Sequence, residues 1–368
     1  MRFLRLVAAV ALFVVACTGT PPATTSPTPT ASVDIRRTKL DIAYSSMAQT
    51  DVHKASSKKI LEAAIAGINA EIKKTGGKGE LAKIDFQDAT EPVNADFKKF
   101  AESAAQVKAL NPQISAERFA DVAIEGMMSV SPDCHTYYVD KGGTVHRSRP
   151  APTTGVPARV PTTGTSLGGP DESGLTGRLL PDGMAYITWH EFRVTANYKF
   201  FDEVRKMMDK ALAGGARAWI FDMRGNVGGF DADTISSYFL NGEPMLKIFY
   251  RDSSPATVYA RKEWRLADVY QKPIAILLND RGGSGPEFFA ANLRENKRAT
   301  IVGSKSTGCV GSTSITNFSD GGLLAVVSTE HEGANTGTKY NNNGVPPDVQ
   351  ADDATAVDKA IEILKQKI

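Results

Sequence analysis

The chain has 368 residues, 42% of them hydrophobic and 23% charged, enough apolar material for a buried core in one large domain or two medium ones. Its 43 Lys and Arg against 41 Asp and Glu leave a net charge of +2. That balance excludes the strongly basic surface of a nucleic-acid binder, so no nucleic acid is expected as a partner.

The first residues read "MRFLRLVAAVALFVVAC", with Arg2 and Arg5 before an apolar run too short to span a bilayer as a mature helix. The pattern predicts a lipoprotein-type signal peptide over 1–16. "VVAC" resembles a bacterial lipobox, which implies lipidation of Cys17 after cleavage before it; an ordinary secretory signal with a coincidental cysteine has the same appearance. The first reading places the protein in the cell envelope, on the outer face of the cytoplasmic membrane, touching the membrane only through its lipid anchor. The second makes it secreted. Residues 17–35 are rich in Thr, Pro and Ser and nearly uncharged, which predicts an extended tether.

Residues 36–140 are predicted to form a small helical N-terminal subdomain. "SSKKILEAAIAGINAEIKK" and "SAERFADVAIEGMMSV" carry apolar residues at helical spacing, with Ser115 and Glu117 suiting a helix start. Residues 141–182 are rich in Gly, Pro and Thr without periodicity and read as a long loop. Residues 183–368 alternate apolar strands ("GMAYITWHEF", "ARAWIFDMR", "KPIAILL", "ATIVG") with amphipathic helices, which predicts an α/β core with a largely parallel sheet. "SITNF" and "LLAVVST" are expected to pair as a hairpin around "SDGG".

Four stretches carry candidate chemistry. In "DRGGSGPEFF", residues 280–289, Ser284 lies at a strand-to-helix turn, where free backbone N–H groups and the positive helix end favour a developing negative charge. Pro286 suits the first helical turn. Read locally, Ser284 serves equally as a helix cap. "FDMRGNVGGF", residues 221–230, ends a buried strand in Gly228 and Gly229, at the edge where open α/β sheets bind ligands; a tight turn is the plain alternative. "SPDCHTYYVD", residues 131–140, and "GVPPDV", residues 344–349, complete the set.

Together and in this order, these stretches resemble the C-terminal-processing (tail-specific) serine peptidase family, whose α/β core is of the crotonase (ClpP/crotonase) type. The resemblance implies a serine-type peptidase with Ser284 as nucleophile and Glu287 as the helix residue of its Ser-x-x-Glu turn. It implies an oxyanion hole from the amide of Gly285 and that of Gly228, with Gly229 the close rival. One branch of the family takes the proton with a lysine twenty-five residues after the serine; here that position is Cys309. Lys305 is four residues away, roughly 13 Å of chain. The tricorn-like branch uses a histidine in an Asp-x-His-Thr segment, which matches Asp133-Cys134-His135-Thr136 and makes His135 the expected general base. That branch orients its histidine with a glutamate three residues before Gly-Val; the position here is Asn341, with Glu330, Glu332 and Asp133 as substitute carboxylates. His331, between two glutamates, is the rival base.

No set of residues has metal-ligand spacing, so neither a metal nor another cofactor is expected. Cys134 and Cys309 both border the site by family position; they either form a disulfide pinning the His135 segment or stand as two free thiols. The peptide-binding PDZ module that the family places before its core is expected to be missing, because 141–182 is too short and lacks strand alternation. The sequence thus points to an exported, lipid-anchored serine peptidase acting on peptide or protein substrates through a Ser284 acyl-enzyme. The alternative is an inactive relative that keeps the fold as a module binding peptide or lipophile.

Overall fold

A computed structural model describes residues 38–150 and 160–368. The predicted signal peptide, Cys17 and the tether lie outside the described residues, as do residues 151–159. Among the described residues no helix is long and apolar enough to cross a membrane.

The N-terminal region forms α1 (Lys39–Thr50), α2 (Ser57–Lys74), α3 (Asn94–Leu110) and α4 (Ala116–Met128). Thr38, Ser56 and Ser115 cap α1, α2 and α4 by accepting a backbone N–H of the first turn. The apolar stripe of α2, Ile60, Leu61, Ala64, Ile65, Ile68 and Ile72, is buried as its spacing predicts. These helices pack on an antiparallel sheet rather than closing on themselves. Their core runs on into Tyr138, Phe318, Leu324 and Val326 of that sheet and its hairpin.

That sheet holds β1 (Tyr137–Val139), β2 (Val145–Arg147), β7 (Pro244–Tyr250), β8 (Ala256–Tyr259), β11 (Gly311–Asn317) and β12 (Leu323–Gly333). Its order is β2-β1-β12-β7-β8, with β11 also paired to β12. β11 and β12 form the hairpin expected around "SDGG".

The second sheet has the order β13-β10-β9-β6-β5-β4-β3. It is built from β3 (Thr165–Gly168), β4 (Thr176–Leu179), β5 (Met184–Thr188), β6 (Ala218–Asp222), β9 (Ile274–Leu278), β10 (Thr300–Gly303) and β13 (Val349–Gln350). From β5 to β13 every pairing is parallel. The central strands are buried on both faces, so their sequences read as unbroken apolar runs. Trp219 and Phe221 enter the larger core, which holds α5 (Phe200–Ala213), α6 (Ala232–Ser237), α7 (Ala267–Tyr270) and α8 (Gly285–Glu295). Ala218 and Ile220 face the other way, onto α9 (Ala356–Lys365).

One expectation is corrected. Residues 141–182 are not wholly loop: β2 pairs with β1, and β3 and β4 extend the second sheet antiparallel to β5. These strands are three or four residues long, and β3 and β4 each carry a Gly and a Thr. They alternate too briefly to be read locally, and pairing with an already buried neighbour supplies what propensity does not.

Candidate active site

β6 and β9 are parallel neighbours, and the turns leaving their carboxyl ends converge. The β9–α8 turn carries Ser284, which has φ +66° and ψ −115°, a conformation that costs energy in a residue with a Cβ. The surrounding bonds hold it there. The Ser284 N–H donates to Glu287 Oε2 at 2.9 Å. The Glu287 and Phe288 N–H groups both donate back to the Ser284 carbonyl. Pro286 has no N–H, so Gly285 is the residue of this first turn whose N–H has no protein acceptor.

Glu287 is completely buried. Besides Ser284 it accepts the N–H of Gly308 at 2.6 Å and of Cys309 at 2.7 Å, and the hydroxyl of Ser306. Burial pushes its carboxyl up, against the pull of these donors. One side chain therefore clamps the nucleophile turn to the loop that follows β10.

The β6–α6 turn supplies the glycines. Gly228 has φ +93°, and a Cβ there would stand 2.6 Å from the Ser284 Cβ and 2.9 Å from the Gly285 nitrogen. Only glycine leaves room above the serine. The Gly228 N–H, however, is already donated to Asn226 Oδ1 at 2.9 Å. Gly229 bridges Phe192 in parallel fashion through its neighbours, with Phe192 N–H donating to Gly228 and Phe230 N–H to Phe192. That leaves the Gly229 N–H free, on an exposed residue lining the Ser284 cleft. Of the two rival glycines, Gly229 has the available donor and Gly228 the steric role.

The antiparallel sheet brings the histidine. His135 precedes β1, and its carbonyl accepts the Thr313 hydroxyl of β11 at 3.0 Å. Its ring is about one-seventh exposed and lines the same cleft of about 410 Å³ as Ser284, Gly229, Phe230, Phe288, Gly311 and His331. Nδ1 lies 3.2 Å from Asp133 Oδ1, which also accepts the His135 backbone N–H at 2.7 Å. Asp133 is fully buried. Burial pushes its carboxyl up, but the bonds and charge of His135, with Asn341 in support, outweigh burial and hold it below the usual carboxylate range.

Asn341, expected beside the histidine ring, bonds Asp133 instead. Its Nδ2 donates to Asp133 Oδ2 at 2.8 Å and its Oδ1 accepts the Val310 N–H. Of the substitute carboxylates, Glu330 pairs with His53 Nε2 at 2.9 Å and Glu332 with Lys339. Alternation along β12 sends both away from the face that carries His331. Asp133 is two residues from His135, so backbone hydrogen bonding in the turn hides in sequence what only the fold reveals.

His331 is 5% exposed and packs edge-on against Phe288, ring centres 4.7 Å apart. Burial pushes its imidazole down to about 4, against a backbone hydrogen bond with Val310. His146, expected in a loop, lies on β2 between Glu125 and Asp140. Cys134 and Cys309 are joined in a disulfide across a separation of 175 residues. Their bond ties the His135 segment to the loop clamped by Glu287. It also removes the thiolate from Asp133, Cys134 and His135, which lie close enough to share an ion.

The chain is similar to known proteins over this region. Residues 183–351 match Peptidase family S41. The chain is 28% identical to the carboxy-terminal processing protease CtpA of Bacillus subtilis over 41% of its length and 32% of that protein's. It is 25% identical to the carboxyl-terminal-processing protease of Synechocystis over 69% of its length and 59% of that protein's. It thus spans between about a third and three-fifths of these relatives. A lipoprotein structure from Streptococcus agalactiae matches the fold with a TM-score of 0.52 at 13% identity, covering 83% of this chain and 97% of that one. A solved structure from Parabacteroides merdae matches with a TM-score of 0.51 at 17% identity, covering 84% and 97%. Residues 183–351 thus carry a Peptidase family S41 domain, and the chain is similar there to the carboxyl-terminal-processing proteases.

Proposed function

We propose that the protein is an exported, lipid-anchored serine peptidase that hydrolyses peptide bonds through a Ser284 acyl-enzyme, with His135 as general base. One observation carries the reading: Ser284, His135 and the free amide of Gly229 line a single cleft, with Gly285 N–H at its serine. In the first step Ser284 Oγ attacks the scissile carbonyl carbon and its proton passes to His135 Nε2. The Gly229 and Gly285 N–H groups stabilise the oxyanion. Collapse expels the amine, which takes the proton from His135. Water, deprotonated by the same nitrogen, then releases the acid and restores Ser284. Asp133 acts as a positioning residue, holding Nδ1 protonated so that Nε2 faces the reaction.

Export is supported by the disulfide, which an oxidising compartment maintains. Cys17 as a lipid site rests on the lipobox resemblance, and radiolabelled palmitate incorporation, lost in Cys17→Ser, tests it. For the chemistry, a fluorophosphonate probe should label wild type at Ser284 and fail to label Ser284→Ala. His135→Ala should label at least about 1,000-fold more slowly. A wild-type protein refractory to the probe at every pH would leave the non-catalytic binding module as the reading. Equal labelling of His135→Ala would move the base elsewhere.

A further inference from the structure

Beyond Ser284 the cleft deepens between α6, α8 and the antiparallel sheet. Its walls are apolar: Phe288, one turn after Ser284 on α8, Ile248 of β7, and Phe230 at the rim, 73% exposed. Ile248 and His331 are cross-strand partners, so their side chains share the face turned into the cleft. No lysine or arginine is among the lining residues, whereas Asp231 and Asp233 both are.

Asp233 is held in one orientation. Its Oδ1 accepts Asn292 Nδ2 at 2.8 Å, and Asn292 is itself fixed by Ser236 at 3.0 Å. Among the described residues no protein donor reaches Oδ2. Burial, with the charge of Asp231, pushes this carboxyl up against the pull of Asn292 and of Arg261, which is exposed and stacked on Trp264, outside the lining. A second atom in the cleft also has no partner among the described residues: His331 is 5% exposed and bonds the Val310 backbone, but its Nδ1 makes no hydrogen bond. Burial keeps that imidazole neutral near pH 7, with one nitrogen able to accept. Acceptor atoms without donors, set beside apolar side chains, favour a donor-rich head on a hydrophobic stem.

From this arrangement we infer that the cleft is a specificity subsite for a lysine or arginine side chain at one of the two residues joined by the scissile bond. The alkyl stem lies against Phe288 and Ile248, and the cationic head reaches Asp233, with His331 as a further acceptor. Glutamate and aspartate are rejected by the two carboxylates. This inference rests on the peptidase reading and adds the substrate class to it.

The test is a degenerate peptide library containing every residue and norleucine, digested by wild type, Asp233→Asn and Asp233→Ser, with cleavage sites mapped by mass spectrometry. Wild type should cut next to Lys or Arg on the order of 10- to 100-fold more often than next to norleucine. Both variants should bring that ratio to about one while still cutting next to norleucine. Cleavage next to apolar residues in wild type, unchanged in both variants, overturns the inference and leaves the peptidase standing. A second readout needs no turnover: fluorescence anisotropy of Lys-fixed and norleucine-fixed peptide pools on Ser284→Ala and on Ser284→Ala with Asp233→Asn. If wild type neither labels nor cuts but Ser284→Ala binds the Lys pool selectively, and the double variant does not, the subsite stands and the peptidase falls. A Ser284→Ala protein that binds the two pools equally overturns the subsite.

Discussion

The two sides of the cleft are held by different means. On the serine side, the geometry is set by backbone groups converging on one buried carboxylate, Glu287, which takes the N–H groups of Ser284, Gly308 and Cys309. On the histidine side it is set by side chains in series, His135 on Asp133 and Asp133 on Asn341, closed by the Cys134–Cys309 disulfide. Backbone groups gathered on one carboxylate depend on that single side chain and not on whether the medium oxidises or reduces. A relay of side chains with one covalent link fails when any member is removed. Under the proposed chemistry, the nucleophile is built into the fold, whereas the base is attached to it.

The sharpest way to break that contrast is Asp133→Asn. It keeps the shape of the segment but lets His135 take the wrong tautomer, and kcat should fall about 1,000- to 10,000-fold with melting temperature changed far less. Steady-state kinetics beside thermal denaturation check this; unchanged kcat would show that Asp133 does not position the base. Next comes reduction. Cleaving the disulfide, or replacing both cysteines by alanine, should lower stability by about 2–5 kcal/mol. Fluorophosphonate labelling should slow and return on reoxidation, with chemical denaturation giving the stability change. Labelling that survives reduction intact would show that Asp133 and Asn341 suffice to hold His135.

Glu287→Gln attacks the other side. Glutamine presents an N–H where the carboxylate accepted one, leaving buried donors unpaired, and should cost about 2–4 kcal/mol in denaturant unfolding. If it instead spares stability, the serine turn does not depend on that clamp. The smallest effect belongs to a cluster away from the cleft. His53 bonds Asp51 and Glu330, which raise its imidazole from 6.5 to about 10. A raised histidine pKa contributes stability fully below pH 6.5, lost as pH rises toward 10. Wild type should therefore lose more stability across that window than His53→Gln, as melting temperature against pH will show.

Sequence and fold agree where local pattern and burial say the same thing. The apolar runs of β6 and β9 are buried on both faces, and "SDGG" turns the β11–β12 hairpin. The family resemblance implied the place of Cys134 and Cys309 beside the site but left open whether they pair; the fold joins them. Three things were not legible. The strands β3 and β4 at one end of the sheet are too short to alternate visibly and borrow their order from β5. Asn341 reaches the site across 208 residues of chain, and nothing near it in sequence says that it will bond Asp133 rather than His135. The helices α1 to α4 look self-contained by periodicity, yet they complete their core on β1 and β12, since a helical stripe does not record what covers it.

The separation of 175 residues between Cys134 and Cys309 also has a meaning in time. A chain growing from its N-terminus cannot close that bridge until residue 309 has been made and both sulfurs have reached an oxidising compartment. Under the proposed chemistry, the nucleophile turn can fold as soon as β9, α8 and the loop after β10 meet, but the base is fastened only after oxidation. Synthesis inside the cell would then yield a hydrolase with a loose proton acceptor, and the step that makes it dangerous to other proteins would coincide with its departure.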